Sequence, residues 1–188
     1  MKKFIIIIWL MCFSCAAQGV EVGGLMLDDS VHLGSSNLVL NGAGVRSKFI
    51  FDVYVAALYL GAKKSSAGAV MSDVGEKRIA LHLLRDVSAE ELLFAFEKAI
   101  KKNHSDEEMM AMKAPLHDFG AIFHIMARVK KGDVIYFDYQ RSTGTNIQIN
   151  GSERGVIPGS AFYSALLKIW LGDQPAQDDL KLKLLGGQ

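Results

Sequence analysis

Hydrophobic residues along this chain concentrate in one long stretch, residues 38–60, which reads LVLNGAGVRSKFIFDVYVAALYL. From Phe49 onward it is dominated by β-branched and aromatic residues without Gly or Pro, which favours a strand over a helix. Apolar positions on both parities predict a long strand buried on both faces of its sheet. The Gly42-Ala43-Gly44 run before it is the expected place for the backbone to turn sharply into that strand. Residues 18–37 read as short edge strands with turns, of which Ser30–Leu33 is the clearest. Residues 61–75, rich in Ser, Ala and Gly, read as a loop holding one short helix around residues 67–72. Residues 77–84 alternate Ile79, Leu81 and Leu83 with Arg78, Ala80 and His82, a strand pattern.

The period then changes. Ser88-Ala89-Glu90-Glu91 is a capping box, and Leu92, Leu93, Phe96, Ala99 and Ile100 form the apolar stripe of the helix it opens. Lys98, Lys101 and Lys102 suit the negative end of that helix dipole. A second helical stretch is predicted over residues 106–128, with Ser105 as N-cap and Pro115 as a break or kink. Strands return at 134–139, 145–149 and 152–156, the last two joined by Asn150-Gly151, a strong hairpin signal. Two closing helices are predicted, one over 160–170 stopping at Gly172, the other from near Pro175 to Gly186. Antiparallel strands with helices grouped between and after them describe an α+β fold.

Composition narrows the class. Of 188 residues, 50% are hydrophobic and 22% charged, which places the chain among ordered globular proteins of one domain's length. Lys2 and Lys3 followed by an apolar run over residues 4–13 and small residues at 14–17 form a signal peptide, with cleavage expected after Ala17 and residues 18–188 as the mature domain. Ten apolar residues fall short of the roughly 20 that span a bilayer. A lipidated Cys15 is an alternative, although Cys12-Phe13-Ser14 is a poor approach sequence for it. Both cysteines lie in this segment, so the mature chain is expected to have neither disulfide nor thiolate chemistry. Removing residues 1–17 takes Lys2 and Lys3 from the 21 basic residues, leaving 19 against 20 acidic ones and no basic excess suited to nucleic acid. The expected location is periplasmic or extracellular.

Few groups qualify as chemistry. Gly42-Ala43-Gly44 lacks both the third glycine and the following helix of a dinucleotide loop. His117 and His124 stand two helical turns, roughly 10 Å, apart, too far to share a metal ion, and read as surface groups. Met109, Met110 and Met112 read as core. There is no haem motif, and neither cofactor nor metal is expected. Arg46 and Tyr54 stand out, because a permanent cation beside apolar sequence requires a partner or a ligand. At an even spacing in an extended chain, the two side chains project to one side. A guanidinium beside a phenol suits a carboxylate, phenolate or enolate. The competing reading is a structural ion pair of Arg46 with Asp52 or another carboxylate.

The segments LNGAGVR (40–46) and FDVYVAALYL (51–60), then Leu84-Arg85-Asp86-Val87-Ser88 before a helix, Phe162, the LLKIWLGD run (166–173), Pro175 and residues 180–186, resemble the chalcone isomerase-like family, above all its exported bacterial members. The likeness covers about residues 20–186. It implies an open-faced β-sandwich, a large antiparallel sheet packed on a helical layer with the ligand cleft between. Of the groups the plant isomerase uses, only the arginine is kept, as Arg46. Tyr54 stands at the strand threonine, while the helix tyrosine and asparagine fall near Ser88 and Ala95 and the late hydroxyl near Ile169. The Arg46–Tyr54 pair resembles instead the fatty-acid-binding members of the family, in which those groups hold the carboxylate. The resemblance therefore implies a periplasmic, non-catalytic binder of a small apolar anion. The alternatives are an isomerase or lyase on an enone or phenolic substrate, with Arg46 as its catalytic group, and a non-catalytic partner of a membrane or redox complex.

Overall fold

The long apolar stretch is a hairpin rather than one strand. In the computed structural model, which describes residues 19–126 and 128–187, β4 (Ser36–Lys48) and β5 (Phe51–Leu60) pair antiparallel and reverse at Phe49 and Ile50. The expected leader, residues 1–17, lies outside the described residues. The turn falls there because Lys48 and Phe51 close the ladder as direct partners, leaving only two residues to reverse the chain. Phe49 adopts φ +56° to do so. That conformation costs a bulky L-residue roughly 1–2 kcal/mol, and hairpins usually give such positions to Gly or Asn.

β1 (Gly19–Val22), β2 (Leu25–Asp28) and β3 (Ser30–Leu33) precede this hairpin, and α1 (Ala67–Ser72) and β6 (Lys77–Leu83) follow it. Ser88 caps α2 (Ala89–Lys102) with both bonds of the capping box formed. The predicted helix over 106–128 is two helices, α3 (Asp106–Ala111) and α4 (Lys113–His124), divided at Met112. Pro115 accounts for the division, because in one continuous helix its ring would clash with the Ala111 carbonyl four residues back. It sits in the first turn of α4, where its missing N–H would have had no intrahelical acceptor. Arg128 belongs to a two-residue ladder, β7 (Val87–Ser88) with β8 (Arg128–Val129), too short to leave a pattern in the sequence. β9 (Val134–Gln140), β10 (Gly144–Ile149) and β11 (Ser152–Ile157) form the meander, with Asn150 and Gly151 both at positive φ as their hairpin requires. α5 (Ala161–Leu171) and α6 (Asp178–Leu184) close the chain.

Seven strands form one antiparallel sheet in the order β11-β10-β9-β6-β5-β4-β3, with the helices on one face. On the other face the β1–β2 hairpin covers Leu38, Leu40, Val55, Ala57 and Tyr59. Residues 54–60 of β5 are all buried, as a strand covered on both sides must be. Under the helices, Phe96, Phe119, Phe123, Phe137, Phe162 and Trp170 interlock with ring centroids 4.8–6.2 Å apart.

The glycines of Gly42-Ala43-Gly44 do not turn the chain. They lie within β4 and let α6 approach its backbone: a Cβ on Gly42 would overlap the Lys183 carbonyl oxygen, and one on Gly44 would stand 2.9 Å from a Leu180 methyl. Asn41, bulged between Leu40 and Gly42, secures this contact. Its Nδ2 donates to the carbonyls of Leu184 (2.7 Å) and Lys64 (3.0 Å), and its Oδ1 accepts from the Lys64 amide (2.6 Å). On the far face of the sheet, Arg78 clasps Asp138 through two 2.6 Å bonds and lies over the Tyr136 ring.

Two outcomes follow for stability in denaturant unfolding. Gly42→Ala should cost about 2–3 kcal/mol, as expected for overpacking against backbone, and more than Gly44→Ala, which meets a movable methyl. Asp138→Ala should cost about 3–5 kcal/mol, because it strands a largely buried guanidinium without its counter-charge.

Candidate functional site

Arg46 and Tyr54 are direct cross-strand partners on β4 and β5. The sequence placed them on one side through spacing along an extended chain. The hairpin achieves the same result differently, since opposed residues of an antiparallel pair share a face with Cβ atoms about 5 Å apart. That face is the helical one. Tyr54 is 5% exposed and belongs to the core beneath the helices, while Arg46 is half-buried beside it.

The surroundings of Arg46 come from the end of the chain. Its Nη1 donates to Gln177 Oε1 at 3.0 Å and to the Ser47 carbonyl oxygen. Gln177, the N-cap of α6, also accepts from the Ser47 amide (2.9 Å) and donates to the Val45 carbonyl (3.4 Å), so it is clamped to β4. The competing pairing with Asp52 or another carboxylate is not made. Asp52 accepts instead from the Ser47 hydroxyl at 2.6 Å, and among the described residues no carboxylate lies within 4 Å of Arg46. The guanidinium charge is met only by neutral oxygens.

Tyr54 is held from the helical layer. Trp170 Nε1 on α5 donates to Tyr54 Oη at 3.0 Å within the core. Burial pushes the phenol pKa up, with the Trp170 bond and the Arg46 charge opposing more weakly, so the group stays protonated near neutral pH. Its lone pair is engaged, and its own O–H has no acceptor among the described residues. Tyr54 can therefore donate a hydrogen bond but is unsuited to act as a base.

The other positions carried over from the plant isomerase supply nothing comparable. The Ser88 hydroxyl accepts the Glu91 amide as a helix cap, Ala95 is exposed, and Ile169 is buried in the core. His117 and His124 are exposed on α4, and the described residues contain no group of three or more metal-ligating side chains. Met112 is buried, whereas Met110 is 78% exposed and does not join the core expected for the Met cluster. Gln177 and Trp170 are the residues the sequence did not single out. They sit 131 and 116 positions from the groups they touch, and neither spacing nor residue type marks them. Two surface cavities of about 450 and 460 Å³ lie away from the pair, one beside Asn103, His104 and Lys168, the other beside Lys77, Arg141 and Tyr163.

Comparison with known proteins agrees with this architecture. The Arabidopsis thaliana fatty-acid binding protein superposes with a TM-score of 0.66 over 86% of this chain and 92% of its own, at 14% sequence identity, a likeness of fold. No curated protein matches in sequence. The family model described as chalcone isomerase-like matches residues 19–186, nearly all of the chain. With the seven-stranded sheet and its helical layer in place, this protein belongs to the chalcone isomerase-like family.

Proposed function

We propose that the protein binds an apolar carboxylate, a fatty acid or a molecule like it, with the carboxylate on Arg46 and Tyr54, and that it does so outside the cytoplasm after removal of residues 1–17. The observation that carries this reading is the unspent pair of donors. Arg46 lacks a carboxylate partner among the described residues, and the Tyr54 hydroxyl accepts from Trp170 while its proton has no acceptor. A carboxylate meets both needs at once, through a charge-assisted bond and a phenol donor. The Arabidopsis neighbour is a fatty-acid binding protein, which is consistent with it.

An alkyl chain leaving this anchor toward the core meets the aromatic cluster. Trp170, Phe96 and Phe162 are each 2% exposed or less, so the chain is accommodated by moving rings rather than by filling ready space. Binding is then coupled to local opening between α5 and the sheet. No observation favours the isomerase reading, because the Ser88 hydroxyl serves as a helix cap and Ala95 and Ile169 carry no polar side-chain group.

Delipidated protein titrated with dodecanoate, followed by native mass spectrometry or calorimetry, tests the proposal. Arg46→Ala should weaken binding at least about tenfold, the size expected for a charge-assisted hydrogen bond, and Tyr54→Phe should weaken it a few-fold. 1-Dodecanol should show no dependence on Arg46. Dodecanoate affinity unchanged by Arg46→Ala would sink the reading, and chalcone turnover above the buffer rate, abolished by Arg46→Gln, would replace it with the isomerase.

A further inference from the structure

The β4–β5 turn is the most exposed apolar feature among the described residues. Phe49 is 92% exposed, Ile50 88% and Phe51 53%, and the three are consecutive at the tip of a hairpin. Nothing in the fold requires this chemistry. Phe49 stands at φ +56°, where Gly or Asn would relieve the strain, and it receives almost no packing in return. A bulky apolar side chain kept in a strained and exposed position calls for a surface outside the chain to cover it.

The surroundings of the tip indicate which surface. At this end of the sheet β5 begins, β6 ends and β9 begins, so the tip shares its end with the loops carrying Arg85, Asp86, Lys130, Lys131 and Asp133. Arg85 lies over the Phe51 ring, 4.9 Å from its centroid. Three acids here are held in place, Asp52 by the Ser47 hydroxyl, Asp86 by the Lys131 amide and Arg128, Asp133 by the Lys130 amide and Asn150, and they are outnumbered by Lys48, Arg85, Arg128, Lys130 and Lys131. Lys48, Arg85, Lys130 and Lys131 have no carboxylate within 4 Å among the described residues. An apolar tip at an end of the sheet where cations outnumber acids matches a lipid interface, where acyl chains take the side chains and anionic headgroups take the charges. A protein partner fits less well, since three side chains offer a few hundred Å² at most against the roughly 800 Å² per side of a stable interface.

We infer that the Phe49-Ile50-Phe51 tip inserts into the surface of an anionic bilayer and docks the protein there peripherally. None of the described helices is long and apolar enough to cross a membrane, so the contact is one of insertion at the interface. The Arg46–Tyr54 pair lies only a few residues up the same hairpin, which places a carboxylate anchor next to the lipid surface. The docking itself does not depend on that anchor and is read without any fatty acid.

The test is co-sedimentation of the protein with vesicles of phosphatidylcholine and phosphatidylglycerol, against phosphatidylcholine alone. Wild-type protein should favour the anionic vesicles and lose binding as salt is raised. Phe49→Asn combined with Ile50→Ser should lower vesicle affinity about tenfold or more. The same change relieves the strain, so its melting temperature should equal or exceed that of the wild type, which separates lost docking from lost folding. Lys130→Glu with Lys131→Glu should remove the preference for anionic lipid. Failure of the wild-type protein to bind either vesicle would overturn the inference, as would undiminished binding by the tip variant. Concentration-dependent self-association that the tip variant abolishes, without vesicle binding, would assign the tip to a second copy of the chain instead.

Discussion

The close approach of α6 to β4 is the contact on which the rest of the structure depends. Because Gly42 and Gly44 carry no side chains, the helix lies almost on the strand backbone, and Asn41 bonds to its last turn. Leu180 and Leu184 then reach the core without any exposure. The same docking delivers Gln177 to β4, where it holds Arg46, the Ser47 amide and the Val45 carbonyl. A Cβ on Gly42 would therefore disturb a packed helix and the mounting of Arg46 together. Small residues serve here as a packing device, as they do wherever two backbones must approach each other.

The pair at Arg46 and Tyr54 joins two environments that hydrophobic burial alone would keep apart. Tyr54 belongs to the aromatic layer, where Trp170 fixes its hydroxyl from α5, whereas Arg46 sits at the margin with neutral oxygen partners. A desolvated phenol remains protonated and a guanidinium remains charged, so the pair presents two donors and Tyr54 is unsuited to act as a base. That chemistry suits retention of a ligand better than proton transfer. The apolar tip beside it extends the same logic outward, with cations at the rim and hydrocarbon at the point.

The stretch from β4 to β5 shows how far pattern reading goes. Its strand character was evident from β-branched and aromatic residues, and its burial on both faces from the absence of alternation. The position of the reversal was not evident. Phe49-Ile50 carries no turn chemistry, and Gly42-Ala43-Gly44 does, yet the ladder closes at Lys48 with Phe51 and α6 claims the glycines. Pro115 marked a real break and only its exact place shifted, since proline is unfavourable inside a helix but harmless in the first turn of the next one. Where signals were local and unambiguous, as with the Ser88 capping box, Asn150-Gly151 and the short helix at 67–72, the expected elements formed.

By itself the sequence determined the element types, the α+β class, the two-faced burial of β5 and the choice of Arg46 and Tyr54 as the groups to watch. These rest on hydrophobic periodicity, capping chemistry and the cost of a cation near apolar sequence, all properties of neighbouring residues. Only the tertiary structure decided that the two groups face each other across a hairpin, that Trp170 takes the lone pair of Tyr54, that Gln177 and not Asp52 meets Arg46, and that Phe49 and Ile50 project into solvent. The Trp170 and Gln177 contacts join residues more than a hundred positions apart, and the hairpin register and its exposed tip depend on which of several apolar surfaces is covered, neither of which chain-local energies encode.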